Sequence, residues 1–214
     1  KASVKNAKVF SQMRTNMVIA TTGFSKMDQK RLIVLSRNYR VGMVLAPNIT
    51  LGVNVLMLLS NLTAAILNNY DFEILEVHHK YKKDAPSGTA KKIANEIIKG
   101  LSYSSHDSIL PSKKEVNINA IRTGGVIGKH EVMIVGEDDK IEITHEAFSR
   151  KAFAEGTIKA MRFIKDKVGL YEMSDVLDLK NALTSYIEKE INLRKVRFSR
   201  FNIRPKKDMQ TFIL

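Results

Sequence analysis

A predicted strand, a polar loop and a predicted helix follow one another in the middle of the chain, and this succession constrains the fold more than any other feature. The strand, residues 71–77, is rich in Phe, Ile, Leu and Val. The helix begins near Ala90, and its apolar residues recur at helical spacing on one face: Ala90, Ile93, Ala94, Ile97, Ile98 and Leu101. We therefore expect a strand whose end leads directly into an amphipathic helix.

The loop between them, residues 78–89, reads HHKYKKDAPSGT. Asp84, Ser87 and Thr89 are candidates to cap the helix, and Pro86 suits a position just before its first turn. Imidazole and ammonium groups thus lie beside unpaired backbone N–H groups at a helix start. Such a place attracts anions, because the orphan donors and the helix dipole favour negative charge. Since a histidine exchanges protons near neutral pH, the loop predicts an anionic-substrate site with a proton donor attached.

A second unit of alternating elements lies nearer the start of the chain. Residues 16–20 form an apolar run that ends in a Thr-Thr-Gly turn, and Ser25 with Asp28 forms a capping box for the helix that follows. Residues 41–46 form the next apolar strand, which a Pro-Asn pair ends. Strand, helix and strand in this order predict a βαβ unit with parallel strands, and ligands of such sheets bind outside the carboxyl ends.

The remaining pattern predicts a mixed sheet with helices on one face, because three further strands follow the strand–helix pair. The predicted elements are the end of a helix at 2–10, a helix from Thr50 to 68–69, a loop at 102–114, strands at 115–121, 130–135 and 140–145, and a helix that Ser149 caps and that ends near Gly169. The last two strands flank the sequence GEDD, which is typical of a hairpin.

The net charge of +13 is unevenly distributed. Residues 179–214 contain nine Lys or Arg against three Asp or Glu, so that about half of the excess lies in this tail. A basic chain suits nucleic acid, but it equally suits a dianionic substrate and a phosphate-bearing cofactor. Because no nucleic-acid-binding motif is present, we expect no such partner. The tail itself fits a basic amphipathic helix, a strand pair or sequence from a disturbed gene end.

Composition excludes other classes of protein. The chain has 44% hydrophobic and 27% charged residues, as ordinary globular proteins do, and its longest apolar stretch, 49–67, is interrupted by polar residues. We therefore expect no membrane span, and a cytoplasmic location fits the absence of a secretory leader. Zero cysteines exclude disulfides and thiolate chemistry. We also expect no metal on His78 and His79, because neighbouring strand residues point to opposite faces unless the strand has ended. For His106, His130 and His145 we expect no functional role.

The loop sequence also carries a family resemblance. Residues 78–90, HHKYKKDAPSGTA, resemble the signature of the dihydrodipicolinate reductases, now called 4-hydroxy-tetrahydrodipicolinate reductases, of bacterial and plant lysine biosynthesis. Residues 18–24, 46–54, 122–130 and 169–178 resemble the same family in the same order. The resemblance extends over residues 1 to about 180 and does not include the tail.

The resemblance implies an α/β fold: the remnant of a Rossmann-like parallel sheet and an α+β mixed-sheet domain for substrate binding and tetramerisation. The implied domains are a partial nucleotide-binding domain at 1–49, a substrate and oligomerisation domain at 50–148, a returning helix and closing segment at 149–182, and a basic tail at 183–214. The family reduces a cyclic, unsaturated dicarboxylic acid with NADH or NADPH and loses water. A homotetramer that binds a small dicarboxylate is therefore the expected assembly.

By resemblance, His78 is the proton donor or acceptor and Lys82 is the second general acid. The implied substrate-binding residues are His79, Gly88, Thr89 and Arg122, the last as a bidentate carboxylate contact. The implied contacts of the nicotinamide cofactor are Ala20, Thr21, Thr22, Ala46, Pro47, Asn48 and Ile49.

One element of the family is not found in this sequence. No G-x-G-x-x-G follows any predicted strand, and no acidic residue lies some 20 positions beyond one to hold a ribose. We therefore expect a fragment or a gene without its 5′ end, which holds NAD(P)H weakly or not at all. An inactive homologue that folds and oligomerises, or a basic nucleic-acid-binding protein that reuses the domain, are the alternative interpretations.

Overall fold

The computed structural model describes residues 2–103 and 116–200, with the backbone alone for 192–200. The elements in chain order are α1 (Ala2–Gln12), β1 (Met17–Ile19), α2 (Lys26–Tyr39), β2 (Gly42–Leu45), α3 (Leu51–Ile66), β3 (Asp71–His78), α4 (Gly88–Tyr103), β4 (Asn117–Arg122), β5 (Lys129–Val135), β6 (Lys140–Glu146), α5 (Lys151–Ile164), β7 (Gly169–Glu172), α6 (Met173–Val176) and α7 (Leu179–Arg200). The strands form two separate sheets, one parallel and one mixed. The predicted α/β fold class is confirmed.

The parallel sheet has the strand order β1-β2-β7 and contains the predicted βαβ unit. The capping box at the start of α2 is confirmed: the side chain of Ser25 accepts from the backbone N–H of Asp28, and the Asp28 carboxylate accepts from the N–H of Ser25. The strand β7 was not predicted. Its backbone begins at Gly169, where φ is +129° and the N–H donates to the Val41 carbonyl at 3.1 Å.

The helix α5 therefore does not end near Gly169, as the sequence suggested, but at Ile164. The reason is that Gly169 pairs with Gly42 in the sheet, so the glycine begins a strand and does not end a helix. Ser149 accepts a hydrogen bond from the N–H of Lys151 at 2.9 Å, although the backbone cap is Arg150. Thr50 is the N-cap of α3 by its backbone, but its side chain makes no cap hydrogen bond.

The mixed sheet has the order β4-β3-β5-β6, with β3 parallel to β4 and antiparallel to β5. Apolar side chains of α3, α4, β3 and β5 form its core, which contains Leu56, Ile74, Ile93, Ile97, Val132 and Ile134 among others. Residues on β3 alternate strictly, with every even-numbered position from 72 to 78 buried. The predicted hairpin is confirmed as β5 and β6.

The residues that the structure describes form two compact units, which divide between Leu177 and Asp178. Of the three alternatives for the tail, the structure has a helix over Leu179–Arg200, with Tyr186, Ile187 and Ile191 exposed. Residues 104–115, which include most of the predicted loop at 102–114 and His106, lie outside the described residues, whereas Ser102 still belongs to α4. Within the described ranges, no helix is long and apolar enough to cross a membrane.

Candidate active site

The site begins on β3, where the buried face of the strand changes from apolar to ionisable. Phe72 and Ile74 pack in the core, and the next two residues on the same face are Glu76 and His78. Glu76 is 0% exposed and His78 is 8% exposed. Because a buried carboxylate is costly without hydrogen-bond partners, the surroundings of Glu76 determine whether this strand is stable.

Glu76 lies at the centre of a polar cluster formed by four segments of the chain. Its Oε1 accepts from the backbone N–H of Ser87 at 2.9 Å and from Nη2 of Arg122 at 2.8 Å. Its Oε2 lies 3.6 Å from Nδ1 of His78 and 3.6 Å from Nε2 of His130. His130 is the cross-strand partner of Glu76 on β5, and its ring meets that of His78 edge to face at 5.1 Å. These contacts join β3, β4, β5 and the start of α4.

The cluster sets the charges of its members. Burial alone would raise the pKa of Glu76, but the nearby His130 ring and the hydrogen bonds from Ser87 and Arg122 outweigh it and hold this pKa well below its usual range. Burial, the neighbouring His130, Lys82 and Arg122 lower the pKa of His78 to about 4, against the opposing effect of Glu76. At neutral pH, Glu76 is therefore a carboxylate and His78 a neutral imidazole.

The start of α4 provides the predicted anion-binding groups. Ser87, and not Asp84 or Thr89, caps the helix, because its Oγ accepts from the N–H of Ala90 at 3.1 Å. Asp84 pairs instead with Lys82. The amides of Gly88 and Thr89 belong to the first turn, where no intrahelical acceptor exists, and the described residues supply no other acceptor for them. Gly88 is exposed, so these amides lie at the surface of the site.

Two contacts join this helix start to the parallel sheet. The Thr89 hydroxyl donates to Oδ1 of Asn48 at 2.6 Å. A Cβ on Gly88 would lie 3.5 Å from Cγ2 of Thr22. A residue predicted for substrate is thus the neighbour of one predicted for cofactor, although 41 positions separate Thr89 from Asn48 in sequence.

The other predicted cofactor residues differ in exposure. Ala20, Thr21 and Thr22 follow β1 and are exposed. Ala46, Asn48 and Ile49 follow β2 and are buried, and Pro47 between them is half-buried. The backbone of Asn48 is fixed by α3, since its carbonyl accepts a hydrogen bond from the side-chain amide of Asn54 at 2.8 Å. The two segments lie at adjacent carboxyl ends of parallel strands, as predicted.

Lys82 and Arg122 both lie beside His78 but are engaged within the protein. Nζ of Lys82 lies 2.8 Å from the Asp84 carboxylate, and this hydrogen bond lowers the pKa of Asp84. Arg122 donates to Glu76, to the Asp84 carbonyl at 2.6 Å and to the Ile121 carbonyl at 2.8 Å. The predicted bidentate contact of Arg122 with a substrate carboxylate remains a prediction, and the guanidinium has an ion-pair role that the sequence did not suggest.

His79 follows the last residue of β3 and lines a cleft that none of the cluster residues Glu76, His78, Arg122 and His130 lines. Since β3 ends at His78, His79 begins the turn that follows and helps to line a cleft of about 640 Å³. The residues lining this cleft are His79, Tyr81, Gly124, Gly125, Ile127, Arg150 and Phe153. The cleft therefore contains one of the two predicted histidines together with an arginine that sequence reasoning did not select.

Glu76 and His130 are the residues of the cluster to which the sequence analysis assigned no role. The expectation that His130 has no role stays a prediction, but its ring lies near Glu76, His78 and the Ser87 hydroxyl, whose Oγ is 3.4 Å from Nε2. The signal was present in the alternation of β3 and β5, which places Glu76 after Phe72 and Ile74, and His130 before Val132 and Ile134, on the buried face. Charged residues are rarely fully buried unless they are paired, so Glu76 at a core position of β3 indicates a buried polar cluster.

Three potential metal-ligand atoms, from Glu76, His78 and His130, lie within 4.8 Å of one another. This group differs from the His78–His79 pair considered above. The guanidinium of Arg122 already neutralises the Glu76 carboxylate, which weakens the attraction of a cation to this group.

Comparisons with known proteins agree with this geometry. The family model "Dihydrodipicolinate reductase, N-terminus" matches residues 1–49, and "Dihydrodipicolinate reductase, C-terminus" matches residues 52–177. The 4-hydroxy-tetrahydrodipicolinate reductase of Archaeoglobus fulgidus is 40% identical over 188 residues, which are 83% of this chain and 72% of the relative. The enzyme of the same name from Aquifex aeolicus is 41% identical over 187 residues, 83% of this chain and 69% of the relative.

Among solved structures, the dipicolinate-bound dihydrodipicolinate reductase from Paenisporosarcina sp. TG-14 is similar with a TM-score of 0.63 and 27% identity. The match covers 79% of this chain and 67% of that protein. Both family models, the curated relatives and the similar solved structure lead to the same conclusion: this chain belongs to the dihydrodipicolinate reductase family of enzymes.

Proposed function

We propose that this chain carries the substrate site of a 4-hydroxy-tetrahydrodipicolinate reductase, which reduces a cyclic dicarboxylate to tetrahydrodipicolinate on the diaminopimelate route to lysine. The names of the relatives and the dipicolinate bound in the similar structure support this substrate class. The single observation that carries the proposal is the contact of Thr89 with Asn48, which joins the anion-binding helix start to the segment after β2.

In this proposal, the free amides of Gly88 and Thr89 bind one substrate carboxylate, because a helix start provides both N–H donors and a favourable dipole. Lys82 supplies a proton, since its ammonium group is charged in its pair with Asp84. His78 begins as a neutral base, as its low pKa requires. A bound dianion favours the charged imidazole, so that His78 takes up a proton from water when substrate arrives and can then donate this proton to the substrate.

The residues present fit a nicotinamide cofactor at one end of the molecule. The exposed backbone of Ala20–Thr22 and the segment from Ala46 to Ile49 would hold it, next to Gly88, whose missing side chain leaves space beside Thr22. When bound, NADH or NADPH supplies the hydride. These 214 residues contain no glycine-rich phosphate fingerprint, and we expect half-saturation with NADPH well above the micromolar range.

The wider setting follows from the same family. We propose a cytoplasmic biosynthetic enzyme and a homotetramer assembled through the mixed sheet. The face of that sheet opposite the core carries exposed apolar side chains, among them Ile121 and Val135. Light scattering combined with size-exclusion chromatography would measure the assembly.

Two measurements on the 214-residue chain test the function. Calorimetric titration with dipicolinate tests the substrate site without any cofactor. Single-turnover reduction of the hydroxy-dicarboxylate at millimolar NADPH and NADH, followed by nicotinamide absorbance, tests the reaction. Saturable dipicolinate binding that Thr89→Ala weakens supports the proposed site, whereas binding that this substitution leaves unchanged would contradict it. Binding without hydride transfer would favour an inactive homologue.

A further inference from the structure

We propose that Glu76 and His130 are positioning residues that hold His78 in one tautomer, protonated at Nδ1, so that Nε2 is the atom that exchanges the proton. This inference rests on the proposed role of His78. Its basis is the hydrogen-bonding capacity of a single buried carboxylate and the four groups around it.

The first step concerns Oε1 of Glu76. A carboxylate has about four acceptor positions, two on each oxygen. Both positions on Oε1 are taken, one by the Ser87 N–H and the other by Nη2 of Arg122. Arg122 is held in turn by the carbonyls of Asp84 and Ile121. The carboxylate is therefore fixed in orientation and cannot rotate to present a different oxygen to the histidines.

The second step concerns Oε2, which points between the two imidazoles. It is buried and has no hydrogen-bond partner within the usual distance, and neither has Nδ1 of His78. Both His78 Nδ1 and His130 Nε2 lie 3.6 Å away, about half an ångström beyond a normal N–H···O bond. A buried carboxylate oxygen gains most by accepting from both rings, which requires a proton on Nδ1 of His78 and on Nε2 of His130.

The third step concerns the charges that face His78. Glu76 on its own strand is the anion, and Arg122 on β4, Lys82 in the turn after β3 and His130 on β5 oppose a second proton on the ring. The carboxylate thus determines which nitrogen carries the single proton and does not make the ring cationic. A histidine with one partner at Nδ1 presents Nε2 to the reacting group.

The fourth step concerns the side of the ring that bears Nε2. Gly128 lies there, and a Cβ at this position would be 3.2 Å from Nε2 and 3.4 Å from Cδ2 of His78. Glycine at position 128 therefore keeps a side chain away from this edge of the ring. The His130 ring lies 5.1 Å from the His78 ring between centroids and is inclined to it by 76°.

The test is a nitrogen-15 NMR measurement of side-chain tautomers in the labelled 214-residue chain at neutral pH, with the His78 signals assigned from their loss in His78→Gln. We expect a protonated Nδ1 and an unprotonated Nε2 for His78. In Glu76→Gln this preference should be lost, because the neutral amide accepts more weakly and also donates. Glu73→Gln is the matched control, since Glu73 lies on β3 and bonds to Asn117 and Asn119 away from the cluster.

A pair of His130 variants examines the second imidazole. His130→Gln keeps a donor near the position of Nε2 and should preserve the His78 tautomer, whereas His130→Leu should not. In turnover, Glu76→Gln should lower kcat by at least about tenfold, but by less than the loss of the base itself, with little change in KM for the dicarboxylate. Thr89→Ala should affect KM instead.

An Nε2-protonated His78 in the unaltered protein would overturn the inference, and this result does not depend on whether any variant folds. An unchanged tautomer in folded Glu76→Gln would overturn it as well. The tautomer is measured without substrate or cofactor. An inactive chain would therefore contradict the proposed function but not the tautomer inference, and a different tautomer would contradict the inference but not the proposed function.

Discussion

At the carboxyl ends of β1 and β2, the segments predicted for the cofactor are neutral and small, whereas the end of β3 brings a carboxylate, two imidazoles and a guanidinium together in a buried cluster. The first region offers backbone and small side chains, so a cofactor bound there, as proposed, would make many weak contacts. The second depends on a few ionisable groups, each of which alters the others through charge and hydrogen bonding. Single substitutions should therefore have large effects at β3 and small effects at β1 and β2.

The largest effect is expected for His78→Gln. If His78 is the proposed general acid or base, its removal should lower turnover by about two to four orders of magnitude. Single-turnover kinetics at millimolar NADPH measure this effect, and Glu73→Gln on the same strand is the control. Equal rates in both variants would show that the charged cluster is not where the chemistry occurs.

Next in size is Arg122→Met, which removes the partner of a fully buried carboxylate. The loss of one member of a buried pair typically costs about 3–5 kcal/mol, and we expect the lower end because Arg122 is partly exposed. The free energy of unfolding, measured in urea, provides the test. Lys99→Met breaks an exposed ion pair with Glu96 and should cost less than about 1 kcal/mol. Similar losses of unfolding free energy in Arg122→Met and Lys99→Met would show that the buried ion pair contributes no more to stability than an exposed one.

The change of stability with pH should be smaller than the effect of Arg122→Met, and stability should fall as the pH falls. Because burial lowers the pKa of His78 to about 4, the unfolded chain binds a proton more readily than the folded chain between this value and the ordinary value of about 6.5. The stabilisation is present above pH 6.5 and is lost as the pH falls toward 4. His145 contributes in the same direction, since burial and His130 lower its pKa.

Urea unfolding at several pH values, compared between the unaltered chain and His78→Gln, separates the contribution of His78 from that of His145. The variant should lose stability less steeply between pH 6.5 and 4. If the unfolding free energy of both proteins falls equally with pH, His78 accepts protons as readily in the folded chain as in the unfolded chain. The cluster would then not be shielded from protons, and in this respect it would be like the exposed segment after β1.

The smallest effect is expected where the two regions meet. Thr89→Val removes the hydroxyl that donates to Asn48, and a net hydrogen bond is worth about 0.5–1.5 kcal/mol. Dipicolinate affinity should therefore fall about twofold to tenfold, because the helix start is no longer held in place. Thr89→Ser retains the hydroxyl and should bind as the unaltered chain does. Equal dipicolinate affinity in Thr89→Val and Thr89→Ser would show that the Thr89–Asn48 hydrogen bond does not contribute to substrate binding.

Much of the fold could be predicted from local patterns. The capping box of Ser25 and Asp28 and the alternation of β5 and β6 depend on neighbours in sequence, and they were predicted correctly. The strand β7 could not be predicted, since four residues acquire their strand conformation only by pairing with Gly42–Leu45, more than 120 positions earlier. Glycine is typical of the position just after a helix, and only the pairing of Gly169 with Gly42 in the sheet makes it the first residue of a strand.

The sequence by itself determined that a proton-exchanging, cation-rich loop precedes a helix start, because residue order alone places His78, Lys82, Gly88 and Thr89 within 12 positions. Only the tertiary structure decided how these groups are charged and oriented. Glu76 acquires its importance from Arg122, Ser87 and His130, which reach it from other elements, and the pKa of His78 depends on burial that no local pattern specifies. Electrostatic interactions act through space, and the dielectric surroundings of a group are set by the packing of distant segments.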